Sequence, residues 1–159
     1  MNTSCISKEQ MMTETSLIRQ VLDLEWEEDQ DVVENQHIQL VTKDPAVLRL
    51  IWSPSYSVCL AAVQLNGMSL QHVPEIHRTA ELCMAAVKQN GNAMWCVPPE
   101  KQTEELKLMA VNNCGRAIHY IENPSDEVQI AAIQNDTSAF YLIENPSDEI
   151  VCLHALMGD

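Results

Sequence analysis

Ile121-Glu122-Asn123-Pro124-Ser125-Asp126-Glu127-Val128 returns 22 residues later as Ile143-Glu144-Asn145-Pro146-Ser147-Asp148-Glu149-Ile150. An octapeptide repeated almost letter for letter marks a tandem unit, and the alanines extend the register. Stepping back from Ala132 by 22 residues reaches Ala110, by 24 more Ala86, by 24 more Ala62, and by 22 more Leu40. Units of this size bury their apolar faces only against their neighbours in a stack. The expected fold is therefore all-α, an α-solenoid of short helix-turn-helix repeats. It comprises about five units of 22–24 residues over residues 36–159, with an N-terminal helical cap and acidic loop over residues 1–35.

Each unit reads as a longer helix, a break, a shorter helix and a turn. At the clearest start, Asn123 has the letters of an N-cap and Pro124 those of a first helical residue. Asp126 and Glu127 then place negative charge at the positive end of the helix dipole. Asn66-Gly67, Asn90-Gly91 and Cys114-Gly115 read as helix stops with glycine in the left-handed conformation. Asp44-Pro45 and Asp136-Thr137 lack that glycine and are expected to form junctions of different geometry. The short helices are expected over Ala46–Trp52, Met68–Val73, Asn92–Val97, Arg116–Ile121 and Ser138–Ile143. Their core columns are Leu48, Leu70, Met94, Ile118, Phe140 and, three residues on, Ile51, Val73, Val97, Ile121, Ile143. Ahead of the repeats, Leu17, Ile18, Val21 and Leu22 give residues 13–24 an amphipathic helical pattern, capped by Thr13 or Thr15.

Composition narrows the function. Apolar content of 46% argues against disorder, and four glycines in 159 residues argue against a turn-rich β architecture. Nine Lys plus Arg against 23 Asp plus Glu leave a net charge of −14, the wrong sign for direct nucleic-acid or anionic-membrane binding. The expected partner is a protein with a basic or apolar surface. Residues 1–10 are polar with no apolar signal region, and no apolar run approaches the roughly 20 residues that span a bilayer. A cytoplasmic location follows as the expectation, the host cytoplasm if the chain is phage-encoded.

No C-x-x-C pair occurs among the six cysteines, which read as small buried hydrophobes with free thiols. The five histidines show no metal-ligand spacing, and there is neither a G-x-S-x-G elbow nor a glycine-rich phosphate loop. No cofactor, no metal and no enzymatic activity are expected.

Ala-Ala-Val-Lys-Gln-Asn-Gly over residues 85–91, the Asn-Pro-Ser-Asp-Glu turns and Ala-Ile-His-Tyr-Ile over 117–121 together resemble a tandem bihelical repeat family. That family is of unknown function and is found in bacterial and phage proteins, and the resemblance spans about residues 36–159. It implies a helical repeat fold and no catalytic residues.

Three candidate contact regions emerge. Arg49, Gln71, Trp95, His119 and Tyr141 share one repeat column that varies while its neighbours stay apolar, as binding positions of repeat proteins do. Trp26, Glu27, Glu28 and Asp29 form an acidic strip with an aromatic anchor. The last helix, residues 147–157, carries Leu153, Leu156 and Met157 with no short helix after it. This apolar face is expected to be covered in a homodimer or by a target protein. The functional expectation is a non-enzymatic protein-binding module, an acidic inhibitor or adaptor that occupies a basic, nucleic-acid-type site on another protein. A phage anti-defence protein of the anti-CRISPR kind would fit. The alternative is an effector or scaffold that binds an apolar peptide along the Trp95 stripe.

Overall fold

The computed structural model describes residues 16, 18–21 and 30–157, and every regular element among them is helical. Six α-helices follow one another: α1 (Gln30–Lys43), α2 (Tyr56–Leu65), α3 (Ala80–Gln89), α4 (Glu104–Asn113), α5 (Asp126–Asn135) and α6 (Asp148–Met157). Between them run five 3-10 helices of six residues: Pro45–Leu50, Gly67–His72, Gly91–Cys96, Gly115–Tyr120 and Thr137–Leu142. Each α-helix packs on the next, and each 3-10 helix packs on the next, so the chain builds two layers in sequence order. Ala62, Ala86, Ala110 and Ala132 are fully buried along the seam, which makes this an all-α repeat array.

The short helices are 3-10 helices, and each ends just before the second of its two apolar columns. Ile51, Val73, Val97 and Ile121 are extended C-cap residues whose N–H groups donate to the carbonyls of Leu48, Leu70, Met94 and Ile118, three residues back. Leu48, Leu70, Met94 and Ile118 are buried in the core with Ile51, Val73, Val97 and Ile121.

Three further expectations are corrected by the backbone. The long helices are capped by Ser55, Thr79, Thr103 and Ser125, whose hydroxyls accept from the N–H groups of Val58, Leu82, Leu106 and Val128. Ser125 is thus the cap, two residues after Asn123, and Asn123 turns the chain with φ 48°. Nor does any glycine have positive φ among the described residues. Asp44, Asn66, Asn90, Cys114 and Asp136 share one extended geometry, with φ from −146° to −150°, so the five junctions are alike. Each of these residues ends one helix and opens the next. The side chains of Asp44, Asn66, Asn90 and Asp136 accept from the N–H two residues on, whereas Cys114 makes no such bond.

Glycine follows the junction because of a neighbour. A Cβ on Gly67, Gly91 or Gly115 would strike the carbonyl oxygen of Ala86, Ala110 or Ala132 in the next long helix. An amide side chain from that helix then locks the contact. Gly67 N–H donates to Gln89 Oε1 at 2.6 Å, and Gln89 Nε2 donates to Leu65 O at 3.1 Å. Asn113 repeats this clamp on Gly91 N–H and Lys88 O, at 2.8 and 3.1 Å, and Asn135 repeats it on Gly115 N–H and Asn112 O, at 2.8 and 2.9 Å. In the first unit the glycine column holds Pro45, which has no N–H, and the amide column holds Leu65.

At the two ends of the array, Val21 lies in a helical stretch and is buried with the core. Residues 16 and 18–20 of the expected capping helix are likewise helical, with exposed side chains, and its other positions lie outside the described residues. Helix α1 begins at Gln30, ahead of the expected boundary at residue 36. Helix α6 buries only Ile150 fully, and Phe140 stacks on His154 at 4.0 Å where the other seams hold alanine.

Candidate protein-binding surface

Because each 3-10 helix carries the chain back, successive long helices run in the same direction and their first turns line one edge of the array. Glu81, Glu104, Glu105, Asp126, Glu127, Asp148 and Glu149 occupy those turns, all exposed. Glu75, Glu100, Glu122 and Glu144 add exposed carboxylates from the intervening turns. The dipole logic that favours acids at a helix start thus places a row of negative charge along the edge from α3 to α6, whereas the first turn of α2 carries no acid.

The cations on that edge are turned inward. Arg78 donates from Nε to Val73 O at 2.9 Å and from Nη2 to Gln71 O at 3.3 Å. Lys101 Nζ reaches Arg78 O at 2.6 Å, and Lys107 Nζ reaches Glu122 O at 3.0 Å. These bonds hold the C-terminal carbonyls of the short helices and the turns after them. Two aromatic or aliphatic side chains interrupt the acids: Trp52 is 91% exposed and Ile76 is 84% exposed. Sequence reasoning missed both. Trp52 stands in the repeat column of Glu122 and Glu144, a substitution that singles it out once the register is known.

The column Arg49, Gln71, Trp95, His119, Tyr141 is exposed throughout, one residue on each successive short helix. Trp95 is 49% exposed and Tyr141 77%, so the stripe offers aromatic surface on the layer opposite the long helices. Burial and the neighbouring Arg49 guanidinium hold His72, beside this stripe, below the usual imidazole range. In α6, Leu153 is half-buried, Met157 exposed and Leu156 81% exposed. Trp26, Glu27, Glu28 and Asp29 lie outside the described residues.

A cavity of about 630 Å³ lies between the two Ile-Glu-Asn-Pro turns, lined by residues 118–124, Gln129 and residues 142–145. Gln129 is a buried polar residue on its wall, 7% exposed. Its Nε2 donates to Pro124 O at 3.0 Å, and its Oε1 has no hydrogen-bond partner among the described residues. The signal for it lay in the column Cys59, Cys83, Lys107, Gln129, which changes from buried thiol to polar side chain where the unit shortens from 24 to 22 residues.

Burial raises the thiols of Cys59 and Cys96 to about 11 and pushes Cys83 up as well, so they sit in the seams as neutral apolar groups. Among the described residues, no group of three or more His, Cys, Asp or Glu is placed to hold a metal ion. No helix among them is long and apolar enough to cross a membrane.

No curated protein and no solved structure matches the chain. A family model described as a domain of unknown function (DUF4116) matches residues 56–100, from the start of α2 to the turn before α4.

Proposed function

We propose that the chain is a non-enzymatic protein-binding module whose acidic edge seats on a basic surface of another protein. One observation carries this reading: carboxylates open α3 to α6 along one edge, while Arg78, Lys101 and Lys107 there are bonded to backbone carbonyls. The outward field of that edge is therefore negative and draws a positive partner. An inhibitor or adaptor that occupies a nucleic-acid-type site fits this sign, a host defence complex included. Trp52 and Ile76 supply apolar anchors within the charged rim.

Binding of a labelled arginine- and lysine-rich peptide to the full chain tests the reading. Glu105→Gln, Asp126→Asn and Glu127→Gln together are expected to weaken binding about ten-fold or more at low salt. A control with the same charge change at the other ends of the long helices, Gln64→Lys, Asn112→Lys and Gln134→Lys, is expected to do far less. Equal losses from the two sets, or binding indifferent to salt, would overturn it.

The exposed Trp95 and Tyr141 favour a second reading, an apolar peptide laid along the short-helix stripe. Under it, Trp95→Ala abolishes binding and the carboxylate neutralisations leave it intact.

A further inference from the structure

The second unit binds a guanidinium of its own. Arg78 closes the five-residue turn after Val73 and bonds the carbonyls of Val73 and Gln71. Gln102 stands in the same place in the third unit and donates to Val97 O at 3.2 Å. The fourth unit is two residues shorter there, and Pro124 takes that position with no side-chain donor. By register, the matching carbonyls belong to His119 and Ile121, and both residues line the cavity.

We infer that this cavity receives a guanidinium group, the side chain of an arginine on the partner protein. The inference rests on the acidic-edge reading and specifies what that edge recognises. Residues that carry acceptors line it: His119 and Ile121 with their backbone carbonyls, Glu122 and Glu144 with their carboxylates, and the buried Gln129, whose Oε1 has no partner among the described residues. A guanidinium carries positive charge and five N–H donors in a planar fork, so one group reaches several acceptors at once. An ammonium has the charge but acts as a point donor, and an anion is repelled by both glutamates. Tyr120, also on the wall, adds an aromatic ring of the kind guanidinium planes stack on.

The test is an NMR titration of the full chain with N-acetylarginine methylamide, set against the lysine analogue. Saturable shifts are expected at residues 119–123 and 142–145 and at the Gln129 side-chain amide, with arginine bound more tightly than lysine. Gln129→Leu is expected to weaken arginine binding about ten-fold. Replacing residues 122–124 by the turn Pro74–Arg78 is expected to fill the site from within and abolish the shifts. Absence of saturable shifts at the cavity, equal affinity for the lysine analogue, or full binding by the turn-replaced variant would overturn the inference. The acidic-edge reading is judged separately by the basic peptide, whose salt-sensitive binding survives if only the cavity assignment fails.

Discussion

A side-chain carbon on Gly115 would stand 2.5 Å from the carbonyl oxygen of Ala132, closer than any real Cβ contact. The two residues belong to adjacent units, so the glycine is fixed by its neighbour and its own backbone conformation plays no part. Gly115→Ala should force the seam apart and cost about 1–3 kcal/mol, the usual penalty of overpacking a dense interior. Urea denaturation reads this as a lower midpoint, and an unchanged midpoint would show that the seam yields freely.

Each amide clamp satisfies one N–H and one carbonyl at a helix junction. Asn113→Leu removes both partners from Gly91 N–H and Lys88 O, and should destabilise the array by about 1–3 kcal/mol. The matching control is Leu65→Gln. Pro45 in the facing column has no N–H to offer, so that change should bring no comparable gain in a thermal melt.

Cys114 is the one junction residue of the five without a side-chain cap bond. Its Sγ instead contacts Asn92 Oδ1 at 3.6 Å. Cys114→Asp should let a carboxylate accept from the second N–H of the following 3-10 helix, as Asp136 does from Ser138. A gain of about 0.5–1 kcal/mol is the expectation, measured by the shift in melting temperature.

The buried thiols set a pH limit on stability. Their folded values lie above the ordinary thiol value of 9.0, with Cys59 and Cys96 at about 11. For a group raised on folding, the stabilisation is complete below the unfolded value and is lost as pH climbs through the folded one. Urea midpoints should therefore fall between about pH 9 and 11, and Cys59→Ala with Cys96→Ala should flatten that decline. In the native chain at pH 8, Cys152 is exposed and should be labelled by a thiol reagent well before Cys59, Cys83 and Cys96. Mass spectrometry of the labelled protein reads the order.

Much of this architecture is legible in the letters because a repeat compares each position with its own equivalents. The alanine seam and the exposed column through Trp95 follow from spacing alone. The cap was displaced to Asn123 because Asn123-Pro124 and Ser125-Asp126 both carry start signals, and only the backbone shows which one accepts a hydrogen bond. Asn-Gly at a helix end has the letters of a left-handed stop. It serves here as a double cap followed by a tight contact with the next unit, and that distance has no signature in one unit's sequence. Gln129 escaped for a related reason. A glutamine on an otherwise apolar face becomes informative only when the shorter neighbouring turn is seen to leave a space beside it. The acidic edge was written in the helix starts, but it reads as a surface only once parallel stacking brings those starts together.

Stripe, edge and cavity all depend on the units standing in register, and the glycine clamps set that register. Hydrogen exchange of the full chain, followed residue by residue, tests this most directly. The amides of Gly67, Gly91 and Gly115 should be protected to the same degree as the buried helix amides around Ala86, Ala110 and Ala132, and Thr137, where Met157 takes the amide column, should exchange far faster. Exchange of the three glycine amides at the rate of the exposed turns would contradict the account.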